Sequence, residues 1–269
     1  MKTYVLILAA SVVFAGQAIA LGEAVDSGAI PSTGTAGVWG IGAPVWDGPQ
    51  AVLFDNGPFV NSVGTGVGGA DESIAAADEE NNGFGCQYEY GYMLTDDFDV
   101  PAGETWDISK ITLFLYQNES GTTSSITAVY ITIYDDHPEY GDVVYGDMYV
   151  NVLTTTSWTN CYRVLWAVQG TSDERPIMAN ELEFTDLSLG PGTYYLVWWA
   201  EGSMTSGPWN NPVCITGQPA TGDAWQFTDV WAEVLMGGTD EPLGMPFISE
   251  GESSSPLQQN TWAGIKNSF

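Results

Sequence analysis

Between residues 111 and 134 the chain twice alternates residue character with a period of two, a pattern that fits a strand and leaves a helix no single apolar face. In the first run Ile111, Leu113 and Leu115 alternate with Thr112, Phe114 and Tyr116. In the second, Val129, Ile131 and Ile133 alternate with Tyr130, Thr132 and Tyr134. The connector from Gln117 to Ser125 holds Asn118, Gly121 and a Ser/Thr cluster, residues that turn the chain or bond their own backbone. The simplest pairing is an antiparallel hairpin with aliphatic faces inward. The aromatic face is expected to be covered as well, as in a multistrand sandwich.

The rhythm continues on both sides of this pair. Strand-like runs cover Ala51 to Phe54, Val143 to Leu153, Cys161 to Val168, Glu181 to Leu187, Thr193 to Ala200 and Ala224 to Val234. Turn signals such as Asn56-Gly57-Pro58, Pro101-Ala102-Gly103 and Gly190-Pro191-Gly192 separate them, and no amphipathic helical pattern of useful length occurs. Only the Ala-rich segment from Ser73 to Ala77 suggests a helical turn. The expected fold is all-β: a two-sheet, mainly antiparallel sandwich of jelly roll type over residues 51–251.

Residues 1–20 carry a cationic start at Lys2, an apolar run from Tyr4 to Phe14, and small residues Ala18-Ile19-Ala20. This is the layout of a secretory signal peptide cut after Ala20, with residues 4–16 as a detached helix. The mature chain is expected to be secreted or at the cell surface, with no transmembrane helix, since no later run is long and apolar enough. Residues 21–50 form a Gly/Pro/Ala-rich arm whose Trp39 and Trp46 suggest that part of it folds back on apolar surface. Residues 252–269 form a flexible tail ending in a patch around Trp262 and Ile265.

Against 5 basic residues stand 34 acids, a formal charge of -29. Such a surface repels phosphate backbones and anionic headgroups, which excludes nucleic acid as a partner and favours cations. Calcium suits carboxylate-rich loops, and two stretches qualify: Asp96, Asp97 and Asp99 before Pro101, and Asp135, Asp136, Glu139 and Asp142 around Pro138. The second is taken as the metal set. Capping of turns by the same side chains is the alternative.

Three cysteines, Cys86, Cys161 and Cys214, follow the signal peptide. An odd count in an exported chain leaves at least one thiol over, and Cys161 with Cys214 is the preferred disulfide, buried thiols being the alternative. Arg163, in a core-like run, calls for a carboxylate partner.

No catalytic signature stands out. His137 is the only histidine and lies in a turn-rich acidic loop, and neither G-x-S-x-G nor a phosphate-binding glycine loop occurs. Glu201 and Glu233 are the first choice for a glycosidase pair, against the reading that both are solvated strand-end charges. The tryptophans are densest in the C-terminal half. Trp198 and Trp199 must face opposite sides of their strand, one toward the core and the other exposed or covered by the arm, and Trp199, Trp209, Trp225 and Trp231 are taken as a sugar-stacking set.

Several blocks in order resemble an uncharacterised exported domain common in environmental bacteria and often found ahead of cell-surface sorting signals. They are LFDNGPFV from Leu53, GVGGADES from Gly66, LTDDFDVPAG from Leu94, SWTNCYRVL from Ser157, RPIM from Arg175, LGPGTYYLVW from Leu189 and PFISEG from Pro246. The resemblance implies export and a β-sandwich, and it carries no catalytic residues. The function expected is a noncatalytic structural or adhesive role in the cell envelope or extracellular matrix, with polysaccharide or other envelope proteins as partners. A carbohydrate-binding module and a sandwich-type glycoside hydrolase are the alternatives.

Overall fold

A computed structural model describes residues 25–26, 45–75, 81–214, 220–237 and 239–255. The expected signal-peptide helix, Trp39 and the tail from Pro256 lie outside the described residues. In chain order the strands are β1 (Val25–Asp26), β2 (Val52–Asp55), β3 (Asp71–Ala75), β4 (Gly83–Gly85), β5 (Met93–Val100), β6 (Thr105–Tyr116), β7 (Ile126–Tyr134) and β8 (Val143–Gly146). They continue with β9 (Leu153–Leu165), β10 (Pro176–Leu189), β11 (Gly192–Gly202), β12 (Trp209–Asn210), β13 (Trp225–Phe227), β14 (Trp231–Glu233) and β15 (Phe247–Ser254). The helical pieces among the described residues are three-residue 3-10 turns.

Two sheets form the sandwich. The first has the path β1-β4-β12-β6-β10-β9-β3, with β15 joining β2 to β6; the second runs β14-β13-β5-β11-β7-β8. Pairing between these strands is antiparallel except for β3 on β9, and single parallel bridges join Val45 to Trp158 and Gln87 to Ala200. Sheet one brings Ile111, Leu113, Leu115, Met178, Leu182 and Phe247 to the core, and sheet two brings Leu94, Phe98, Val129, Ile131, Ile133, Leu196 and Trp198. Trp198 is fully buried, so its adjacent Trp199 must face outward.

The expected hairpin is not made. β6 and β7 lie in opposite sheets, and their aliphatic faces meet across the core instead of lying side by side. Residues 117–125 are long enough to span the roughly 10 Å between stacked sheets, and period-two alternation fixes which face is apolar without naming a partner. The partners come from far along the chain: β6 is flanked by β10 and β15, and β7 by β11 and β8.

Other local expectations also change. Ser73 belongs to strand β3, where the β9 ladder and the Asn61 carboxamide, which bonds both the N–H and the C=O of Ile74, outweigh the helical bias of alanine. Asp96, Asp97 and Asp99 lie within β5 and not in a loop. Val143 to Leu153 breaks at Gly146, whose φ of +90° and close approach to the Ile131 carbonyl, 2.5 Å from where a Cβ would sit, exclude a side chain.

Both faces of β6 are covered, as expected. On the outer face Phe114 stacks on Phe59 at 4.1 Å and meets Trp46 edge-on at 5.4 Å. Trp46 donates its Nε1–H to Glu181 and its backbone N–H to the Trp158 carbonyl, so this part of the arm folds back on the sheet. Arg163 is fully buried and donates to the Asn82 and Asn81 carbonyls and to the Ser73 hydroxyl.

The expected disulfide is not made. Cys161 and Cys214 are both thiols, with Sγ atoms directed at the Tyr162 and Pro58 carbonyls respectively. Burial pushes the Cys161 thiol well up, and the neighbouring Cys214 adds to the shift.

Candidate functional site

Two places on this scaffold gather polar chemistry. The first is a cleft of about 380 Å³ where the Tyr88 turn meets the end of β11, lined among others by Gln87, Tyr88, Glu89, Tyr90, Glu201 and Met204. The turn is built locally. The Gln87 carbonyl accepts from the N–H groups of Tyr90 and Tyr92, Gly91 closes the turn at φ +71°, and the Ala200 N–H to the Cys86 carbonyl, at 2.7 Å, ties the turn to β11. Below it Cys86 is buried, which pushes its thiol far up and leaves it a packing residue.

The turn sets Tyr88 flat against Tyr130, centroids 4.8 Å apart at 27°, and edge-on to Trp199 at 4.7 Å. The Tyr130 hydroxyl donates to Glu201 Oε1 at 2.7 Å, and that bond, followed by burial and the Glu201 charge, pushes the phenol up to about 12. Glu201 is thereby held at the cleft by a buried phenol, beside the exposed Glu89 and the 61% exposed ring of Tyr90. Gln87 is 4% exposed, and its Oε1 has no protein donor.

The four expected tryptophans do not form one platform. Trp199 packs edge-on behind Tyr88 of this cleft without lining it, and Trp209, buried with its Nε1–H on Ser206, follows the Gly207-Pro208 wall in sequence. Trp225 and Trp231 pack instead around His137, at 4.7 and 6.0 Å between centroids. The glycosidase pair also separates. Glu201 is on β11 and Glu233 on β14, three strand steps away in the same sheet and four residues out of register, so at least about 14 Å at the usual strand spacing, beyond the separation either glycosidase geometry uses.

The second place is a carboxylate group. Among the described residues, Asp96, Asp97 and Asp223 place one oxygen each within 4.8 Å of one another, an arrangement able to hold a metal ion. β13 pairs with β5 only over Met93, Leu94 and Thr95, so past Thr95 the chain before β13 diverges and brings Asp223 and Thr221 against the open edge. Asp96 is fully buried and accepts from Asn56 Nδ2, the Met245 N–H, the Thr221 hydroxyl and the Asp97 N–H. Burial pushes its carboxyl well above the usual range, against those bonds. Asp97 is pushed up to about 6 by burial first and then by the charge of Asp223, and its Oδ1 has no protein partner.

The carboxylates expected to hold calcium are used differently. Asp135 Oδ1 accepts from the Asp142 N–H and Asp136 Oδ1 from the His137 N–H, each at 2.7 Å, so they cap the turn between β7 and β8. Among the described residues no three of Asp135, Asp136, Glu139 and Asp142 meet within ligand reach. Their loop instead delivers His137 to an aromatic box of Tyr140, Tyr195, Trp225 and Trp231.

No protein-family model, curated protein or solved structure matches this chain. Glu201, Trp199, Asp96 and Asp97 are candidates on sequence alone. Tyr88, Glu89, Tyr90, Gln87 and Asp223 are not, since they carry no motif and acquire a role only through long-range packing. The one available signal was the aromatic, acidic run Tyr88-Glu89-Tyr90 ahead of Gly91, a turn signature with no apolar period.

Proposed function

We propose that this chain is a noncatalytic, exported β-sandwich that adheres to extracellular polysaccharide through the cleft between Tyr88 and Glu201. The observation that carries the reading is the Tyr130 hydroxyl holding Glu201 beside an aromatic turn, since sugars are bound by rings that cover their C–H faces and by fixed acceptors that take their hydroxyls. Export is read from the residues 1–20 pattern, and the resemblance to surface-sorted bacterial domains supports a setting among envelope polymers. An adhesive role in the envelope or matrix and saccharide binding are then one function.

The test is calorimetric titration of the exported chain with a panel of neutral and charged oligosaccharides. Millimolar or tighter binding to at least one, abolished by Tyr88→Ala and weakened by Glu201→Gln, is expected. Absence of binding across the panel would leave the scaffold role without the saccharide.

We further propose calcium as the cation for Asp96, Asp97 and Asp223. Hard divalent ions take carboxylate oxygens, and the buried Asp97 Oδ1 supplies one that bonds no other group among the described residues. Melting curves in calcium, magnesium and sodium chloride at matched ionic strength test it. A calcium-specific rise in Tm, absent from Asp97→Asn and Asp223→Asn, is expected, whereas coincident curves would remove the ion.

A further inference from the structure

The cleft that the saccharide reading uses also has a sign. Among the described residues its lining includes two carboxylates, Glu89 and Glu201, and no lysine, arginine or histidine. Tyr88 and Tyr90 supply ring faces and Met204 a polarisable, 37% exposed wall. Gln87 adds a buried carbonyl oxygen with no donor of its own. The whole protein, at -29, adds a negative field around it.

Aromatic faces beside carboxylates recognise a cation carried on an apolar body, through ring quadrupole and ion pair together. Uronic or sulfated sugars meet repulsion here, and neutral sugars leave the two carboxylates without a counter-charge. We infer that, within the saccharide-binding reading on which this step rests, the preferred ligand unit is an amino sugar with a free, protonated amine. A primary ammonium has three N–H donors to offer Glu89 and Glu201. A quaternary ammonium, having no N–H, offers these carboxylates charge without a hydrogen bond.

The experiment compares three probes by calorimetry at moderate salt: a glucosamine trimer, its fully N-acetylated counterpart and tetramethylammonium. A short oligomer is used because a long polycation would bind any surface this acidic. The glucosamine trimer is expected to bind at least about tenfold more tightly than the acetylated one, the scale of one lost charge-assisted hydrogen bond. Glu89→Gln and Glu201→Gln should each erase most of that preference. The control pair Asp107→Asn with Asp186→Asn, which removes more charge than either single variant and lies on residues that line a separate groove against Phe184, should leave it in place.

Three outcomes overturn the inference. Equal affinity for the two trimers, lost together in Tyr88→Ala, leaves saccharide binding intact and removes the amine. An equal loss in the control variant makes the attraction a property of the whole surface. Tetramethylammonium binding as tightly as the glucosamine trimer assigns the cleft to small organic cations. If neither trimer binds and the wider oligosaccharide panel is also silent, the saccharide reading itself falls.

Discussion

Asn56 Nδ2 stands 2.6 Å from Asp96 Oδ2, and with the 3.0 Å bond from the same nitrogen to the Met245 carbonyl it ties the end of β2 to the buried strand β5 and to the approach to β15. The Asn56 oxygen accepts from the Thr221 N–H at 2.8 Å, so a single buried carboxamide fastens three segments far apart in sequence. Removing it takes one of four donors from the buried Asp96 carboxyl and one donor from the Met245 carbonyl. Asn56→Ala is expected to lower unfolding stability by about 1–3 kcal/mol, read as a shift in urea midpoint at constant m-value.

Asp97 gives the stability a pH dependence of known sign. Its pKa is about 6 in the fold against about 3.9 unfolded, so between those values the folded state binds more protons. That stabilisation is fully present below about pH 4 and is lost as pH rises through 6. Asp96, pushed up by burial, acts in the same direction. The Tm difference between the native chain and Asp97→Asn at fixed ionic strength in chelator should therefore move against the native chain from pH 4.5 to 6.5, and a calcium ion at the site should shrink that change by replacing the proton.

Tyr130 separates holding from stacking. Tyr130→Phe keeps the ring under Tyr88 and removes only the hydroxyl that fixes Glu201. Thermal stability should change by no more than about 1.5 kcal/mol, while affinity for the best saccharide should fall about three- to tenfold, because Glu201 then has to be ordered by the ligand. Equal binding by the variant would mean that Glu201 needs no positioning.

How much of this was legible in the sequence follows from the range of the interactions involved. The inward faces of Ile111, Leu113, Leu115 and of Val129, Ile131, Ile133 were readable, because alternation is set by the strand itself. Their sheets were not, because a nine-residue connector serves a hairpin and an inter-sheet crossing equally. Trp46 was readable as an arm that folds back, since an indole has few other reasons to sit in such a segment. Asp96 and Asp97 were visible as acids, but Asp223, which completes their group, is 126 residues beyond Asp97 and announces itself by no spacing.

His137 produces the opposite slope to Asp97. Burial among the rings of Tyr195, Trp225 and Trp231 holds its pKa below the ordinary value near 6.5, although Glu139 and Asp136 pull the other way. The unfolded chain then binds the proton more readily, so the stability is fully present above about pH 6.5 and is lost as pH falls below it. A titration of the single imidazole by NMR should give a midpoint under 6.5, and His137→Phe, which keeps an aromatic ring in the box, should abolish the loss. A midpoint at or above 6.5 would place the ring in water.

Trp46 decides whether the arm belongs to the fold. Its indole covers Phe114 and Phe59 on the outer face of sheet one and donates to Glu181, which also holds Lys110 at 2.9 Å, so one side chain connects the arm to both an aromatic cluster and an ion pair. Trp46→Ala uncovers Phe114 and removes a donor from Glu181, and a half-buried indole places the cost at about 2–4 kcal/mol, toward the low side of the range for core aromatic truncations. Val45, 50% exposed, provides the neighbouring control, for which truncation to Ala should cost less than about 0.5 kcal/mol. Urea unfolding measures the two costs, and limited proteolysis measures the arm. Cleavage before residue 51 should accelerate in Trp46→Ala and stay unchanged in Val45→Ala, whereas identical cleavage in both would show that the arm is held by its backbone bond to Trp158 and not by the indole.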